Sequence, residues 1–330
     1  MYYALLFVAA ILFSGQFLFT KVFQKYNGDS LKTTLKLIFF SYITIAIFFF
    51  MKAQIGADRV RFGFSWFTLA MTLAVALVSM TCVYLSVKVL GVGNTSVYST
   101  FMMVGSMALP SIVGILAYGE TEKLGLKLIA IAIMLAATVF TTGDDGTKAN
   151  KKAIFYYIGV FILNGLVGVL FTIHQKQPEL AAYSELVKDA QGVLHLEANS
   201  DVFLSWYGVS TAVLSGLLLL VFKLLDNAKA AQALSENNEK VVAGTKGSFL
   251  PSLLVSVGYG VFNGMGNYFI AISTIKVGAS VTFPVVNGGT ILVSTLLGVF
   301  LYKEKAGWKT WLGCSLVLVA TVLFALAQPA

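Results

Sequence analysis

The sequence is poor in charge: 12% of its 330 residues are Asp, Glu, Lys or Arg, and 58% are hydrophobic. Ordinary globular proteins carry about 25% and roughly 45–50%. A soluble fold of this length has to cover its surface with polar side chains, so the pair of soluble domains that the length suggests is excluded. A polytopic membrane protein is the class that remains. Cysteine and histidine are also scarce, at two each. Cys82 and Cys314 lie inside apolar runs without metal-like spacing. A disulfide framework and a metal site are therefore not expected, nor is any cofactor. The net charge of +8 is scattered singly and in pairs over many loops. With no basic stripe interleaved with aromatics, a nucleic-acid partner is not expected either. Met1-Tyr2-Tyr3 lacks the basic region of a signal peptide, so the first apolar run is expected to stay as a membrane helix.

What the chain has is long apolar stretches. A hydrocarbon core about 30 Å thick needs roughly 20 such residues in a helix. Runs of that size fall near 3–24, 33–52, 65–89, 93–118, 124–143, 152–174, 202–225, 249–274, 278–301 and 307–327, which predicts ten spans. Trp66, Trp206, Trp308 and Trp311 stand at or near the starts of spans, where amphipathic rings prefer the headgroup layer. Two connections are long, 176–201 and 226–248. Both read as solvated connectors, with Pro178-Glu179-Leu180 and the Ala-, Glu- and Lys-rich stretch 228–242 as places for a short surface helix. Of the 23 Lys and Arg, 8 fall on the side of the termini and 15 on the other, which leans towards both termini outside.

The acidic residues carry the sharpest constraint. All 15 lie in expected loops or at helix ends, none at mid-span. Ionisable groups at mid-membrane are costly and mark proton relays or cation sites. Coupling through a central carboxylate is therefore not expected. The spans carry neutral polarity instead, and the candidate substrate-binding set is Ser14, Gln16, Tyr84, Tyr98, Ser99, Asn164, Asn263, Asn267, Asn287 and Thr290. Each of these also has a plain structural reading as an interhelical hydrogen bond. Asn263 and Asn267, four apart, share a helix face beside Gly260 and Gly264. Pro284 would free a carbonyl beside Asn287, and Glu120 and Glu304 stand at helix ends; these three are candidate gating residues. His174, with no acidic or histidine neighbour in sequence, reads as an interfacial residue.

The chain also repeats itself. Shifted by 184 residues without a gap, Tyr84, Ser96, Val97, Gly105, Gly114, Tyr118 and Glu120 meet Tyr268, Ser280, Val281, Gly289, Gly298, Tyr302 and Glu304. Ser14-Gly15 and Asn164-Gly165 are a weaker match between the first helices of the two copies. Five spans per copy is an odd number, so the copies run in opposite directions through the membrane. Inverted repeats around a central site are a recurring transporter architecture.

Val113-Gly114-Ile115-Leu116-Ala117-Tyr118-Gly119-Glu120 and Gly298-Val299-Phe300-Leu301-Tyr302-Lys303-Glu304, with Gly313 in the next helix and Lys36 early in the second, carry a family resemblance. The chain resembles the ten-helix, EamA-type members of the drug/metabolite transporter superfamily. It departs from them in having Phe13-Ser14-Gly15 where members commonly carry a Trp-Gly pair, in lacking a counterpart of Lys36 in the second copy, and in placing Pro110 and Pro284 at non-equivalent positions. The resemblance implies an all-α integral membrane fold of two inverted five-helix repeats, 2–143 and 152–327. It also implies a multi-pass protein of the bacterial inner membrane with cytoplasmic termini, against the lean of the charge count. The expected partners are the lipid bilayer and a small-molecule substrate, with the chain a monomer or homodimer. The expected function is secondary transport of an amino acid, metabolite or drug-like solute, mostly as efflux, around a neutral polar cavity. The alternatives are a receptor or lipid scramblase. An integral membrane enzyme would need clustered His, Asp or Glu near the interface, and none is evident.

Overall fold

The computed structural model describes residues 2–55, 62–92, 95–119, 121–142, 151–188, 192–235, 249–277, 279–303 and 306–327. They form ten α-helices: α1 (Tyr2–Asn27), α2 (Leu31–Gln54), α3 (Trp66–Val92), α4 (Thr95–Tyr118), α5 (Leu124–Thr142), α6 (Lys151–Gln175), α7 (Ser200–Ser235), α8 (Phe249–Val277), α9 (Ala279–Tyr302) and α10 (Trp308–Leu326). Each predicted apolar run overlaps one of them. Seven are long and apolar enough to cross a membrane, and three more carry shorter apolar segments, Leu124–Phe140, Val285–Leu301 and Trp308–Phe324. In hydrocarbon every backbone N–H and C=O has to be paired within its own segment, so an apolar run of this length folds as a helix. This is the architecture of a multi-pass membrane protein.

The chain punctuates these helices in ordinary ways. Gly28, at φ +75°, ends α1 and returns its N–H to the Gln24 carbonyl at 2.7 Å. Ser30 caps α2, its Oγ accepting from the Thr33 N–H at 3.2 Å. After α4 and after α9 the backbone turns left-handed at Gly119 (φ +67°) and at Lys303 (φ +54°).

Packing follows small residues. α1 lies against α8 and α9, α6 against α3 and α4, α2 against α7 and α8, α3 against α7, and α5 against α10. On the α1–α8 seam Phe13 sits over Gly266, Phe19 over Gly258, and Phe262 over Gly15. One apolar core joins α3–α6 with α9 and α10 around Met103, Met134 and Ile291; a second joins α2, α3 and α7 around Ile45, Val75 and Phe203.

Polar contacts close both ends of the bundle. At one end Lys32 pairs with Asp226, Lys88 with Asp29 at 2.8 Å, and Ser252 Oγ donates to Asn27 Oδ1 at 2.8 Å. At the other, Lys52 pairs with Asp201, and Lys123 Nζ donates to the Leu326 carbonyl at 3.0 Å. Lys176 Nζ lies 5.6 Å from the centre of the Tyr118 ring there.

The connection 176–201 differs from the solvated connector or short helix expected of it. Pro178–Leu180 makes a single 3-10 turn, and β1 (Ser184–Lys188) pairs antiparallel with β2 (Leu194–Ala198), Leu186 opposite Leu196. The hairpin is tied down: just before it Ala182 N–H donates to Thr68 Oγ1 at 2.8 Å, and Asn199, at the start of α7, donates from Nδ2 to Glu185 Oε1 at 2.6 Å. A Cβ on Gly63 would collide with the Ala182 carbonyl. The other long connection starts as a continuation of α7 to Ser235; residues 236–248 lie outside the described ones.

Candidate functional site

The predicted polar residues separate into three groups. The first is an amide ladder on α1 and α8. Asn267 Nδ2 donates to the Asn263 carbonyl (2.9 Å) and to its Oδ1 (3.2 Å), and Asn263 Nδ2 donates to Gln16 Oε1 at 2.7 Å. Thr20, one turn beyond Gln16, is buried and donates to the Gln16 carbonyl at 3.0 Å. Gln16 is 3% exposed, whereas Asn263 and Asn267 are half-buried, so the α8 end of the ladder is the accessible one. Four-residue spacing on α8 puts both asparagines on one face, and close packing of α1 on α8 brings Gln16 within reach.

The second group ties helices together. Ser14 Oγ donates to the Ala10 carbonyl at 2.8 Å and to the Thr290 carbonyl at 3.1 Å; Thr290 Oγ1 donates to the Val286 carbonyl at 2.7 Å. Asn164 Nδ2 donates to the Met102 carbonyl at 2.8 Å, across α6 and α4. Tyr98 donates to Met102 Sδ at 2.9 Å and stands edge-on to Phe17, 5.2 Å between ring centres. Ser14, Thr290, Asn164 and Tyr98 thus serve as interhelical links. Ser99 and Asn287 are buried on α4 and α9. The third group stands apart from the ladder. Tyr84 on α3 lies 5.8 Å from Lys88 Nζ. Pro284 falls within α9, but its side chain is outside the described ones, as are Glu120 and Glu304.

Two features were not anticipated. Tyr42 on α2 and Tyr207 on α7 are buried, with hydroxyl oxygens 2.7 Å apart and rings 5.1 Å apart at 78°. Tyr42 stands mid-run with no headgroup to meet, which is the signal that it must find a protein partner; Tyr207, next to Trp206 near the start of its run, carries no such signal. His174 is not interfacial but buried, 1% exposed. Its ring stacks 5.6 Å from Phe67 and 4.0 Å from Phe203, and its Nε2 lies 3.0 Å from Thr68 Oγ1. The same Thr68 Oγ1 accepts from the Ala182 N–H, just before the hairpin.

The described acidic residues of the bundle, Asp29, Asp201 and Asp226 among them, sit in connections or near the ends of the apolar windows. Beside Asp29 the Lys88 ammonium, by hydrogen bond and by charge, holds the carboxyl below the usual carboxylate value. A ladder of amides with no described carboxylate near it can exchange hydrogen bonds with a polar solute without requiring a counter-charge.

No protein-family model matches the chain, and no curated protein matches it by sequence. Among solved structures the likeness is in fold. One crystal structure, described only as that of a protein, aligns over 98% of this chain and 94% of its own at a TM-score of 0.55 and 12% identity. The fold, taken nearly whole, is therefore one already seen in a crystal.

Proposed function

We propose that the chain is a secondary transporter moving a small polar solute (an amino acid, metabolite or drug-like molecule, chiefly outward) by alternating access between two inverted five-helix repeats, 2–143 and 152–327. Several observations support the repeat. α4 and α9 have bounds 184 residues apart, as do α5 and α10; α3 and α8 agree with that shift to within one residue. Gly119 and Lys303, at the same shift, both turn left-handed after their helix. Exchanging each helix for the one five later turns the α1–α8 contact into α6–α3, α1–α9 into α6–α4, and α2–α8 into α7–α3, all of which occur. Ser14 and Asn164, matched in sequence, each donate across that exchanged seam to a backbone carbonyl.

The observation that carries the function is the Gln16–Asn263–Asn267 ladder, whose accessible end is amide and whose surroundings hold no described carboxylate. Inverted-repeat transporters place their solute near mid-depth at the interface of the copies. The resemblance in the fourth and ninth helices points the same way.

The test is flux in proteoliposomes with a panel of labelled amino acids, with and without an imposed pH gradient. At least one polar solute should cross. Asn263→Ala with Asn267→Ala should slow it about tenfold, as expected for losing one or two hydrogen bonds to substrate. Lipid translocation without flux of any polar solute would overturn the proposal in favour of a scramblase.

A further inference from the structure

The seam between α2 and α8 loosens along its length. Ser41 Oγ donates to the Ser256 carbonyl at 2.8 Å, and a Cβ on Gly260 would come within 2.5 Å of the Ser41 carbonyl. One turn on, the nearest atoms to a Cβ on Gly264 are side-chain carbons of Ile45 and Phe49 at 3.7 Å. The first place is a contact between backbones; the second is an ordinary van der Waals contact with side chains. Asn267 and Tyr268 follow Gly264 by three and four residues, so both stand on the side of α8 turned towards α2.

At this looser end a cation meets a ring across the seam. Lys52 Nζ lies 4.0 Å from the centre of the Tyr268 ring, where an ammonium is attracted to an aromatic face. The ammonium is also paired with Asp201. Lys52 is in the last turn of α2 and Asp201 in the first turn of α7, so each helix end favours the charge it carries. The ion pair fastens α2 to α7, and the Tyr268 ring joins α8 to that pair. The matching helix is fastened differently. Tyr84 matches Tyr268, but beside it Lys88 belongs to α3 itself and pairs directly with Asp29, just ahead of α2. At the place of Lys88 the second copy has Ile272, and the ammonium beside Tyr268 comes from the other copy.

We propose that Lys52 and Tyr268 form a latch that closes the α2–α8 seam over Asn267, at the end of the bundle that carries the C-terminus of α10. When the ring leaves the ammonium, the C-terminal half of α8 swings about the Ser41–Ser256–Gly260 contact and opens the amide ladder to water on that face. The latch serves as a gate only on the transport reading, which it deepens, but its opening is measured without flux. The purified full chain carrying Asn267→Cys would be placed in nanodiscs and alkylated with a charged, water-soluble maleimide. Cys82 and Cys314 are buried, and the chain without the added cysteine gives the background.

Added to that chain, Tyr268→Leu and, separately, Lys52→Gln should each speed alkylation about tenfold, the size of one ring–ammonium contact. Tyr268→Phe keeps the ring and Lys52→Arg keeps the charge, so both should hold the parent rate. Lys32→Gln, at the opposite end of the α2–α7 seam, should hold it too. Lys52→Gln breaks the same contact from the other side, and reports on the latch if Tyr268→Leu does not fold. Parent rates in both Tyr268→Leu and Lys52→Gln would overturn the proposal. So would an equal rise in Tyr268→Phe or Lys32→Gln, which would mark a general loosening of the bundle. The expected pattern without flux of any polar solute would keep the latch and remove the transporter; flux with unchanged alkylation would do the reverse.

Discussion

The α4–α6 seam and the α1–α9 seam hold matching places in the proposed repeat, yet they are built with different tolerances. In the first, backbone meets backbone: a Cβ on Gly105 would run into the Phe161 carbonyl, and one on Gly165 would come within 2.7 Å of the Gly105 carbonyl. In the second, Gly289 faces a side chain, with the nearest atom to an added Cβ being the Ala10 methyl at 2.9 Å. An alanine methyl has no rotamer to turn aside, so both contacts can be relieved only by moving helices, but the 2.1 Å approach to the Phe161 carbonyl asks for a far larger displacement than the 2.9 Å one. Matching helices can thus form one seam that is tighter than its counterpart.

The largest expected effect separates these seams. Gly105→Ala should destabilise the protein by about 1–3 kcal/mol or prevent folding, and Gly289→Ala by less than about 1 kcal/mol. Thermal unfolding in detergent measures both, and equal shifts would break the comparison.

Next come the two left-handed turns. Gly119→Ala should cost about 1 kcal/mol, and Lys303→Gly should stabilise by up to about 1 kcal/mol, because only glycine takes that conformation without strain. The opposite signs, read from the same melting curves, are the test.

Smaller differences mark the α2–α7 clasp. Asp201→Asn should cost more than Asp226→Asn. The side chains of the Lys52–Asp201 pair are 27% and 19% exposed against 41% and 56% for Lys32–Asp226, and exposed pairs contribute about 0–1 kcal/mol. Equal losses on chemical denaturation would show that burial does not distinguish the two ends.

The smallest effect is a pH dependence that belongs to one copy. Lys88 pairs with Asp29, while Ile272 stands at the position matching Lys88. Because the folded carboxyl of Asp29 lies below its unfolded value of about 4, the stabilisation is present above that pH and is lost as pH falls through the lowered folded value. Asp29→Asn should flatten that acid limb of a stability–pH curve slightly; an unchanged limb would place the acid sensitivity elsewhere.

The helices were legible because the bilayer leaves an apolar run of some twenty residues one way to pair its backbone. The hairpin was less so. Leu194–Ala198 alternates apolar and polar residues, a strand pattern, but Ser184–Lys188 does not, each is five residues long, and the flanking Pro178 suggested a helix start. The polar residues could be named by type, whereas their partners depend on which helices meet, and that is set by glycines such as Gly15 and Gly266 whose opposite numbers lie some 250 residues away. Hence Gln16 and Asn263 were both candidates without being a pair, and the Tyr42–Tyr207 contact was not anticipated.

The hairpin has a practical consequence for experiments on topology. It is fastened to α3 through Ala182 and Thr68 and to the start of α7 through Glu185 and Asn199, while Lys188 and Val193 beside its turn are exposed. An epitope inserted between the two strands would therefore be displayed on a fixed mount at the end of the bundle that also carries the C-terminus of α10. Antibody binding to intact cells, compared with binding to permeabilised ones, would then report which face of the membrane that end occupies.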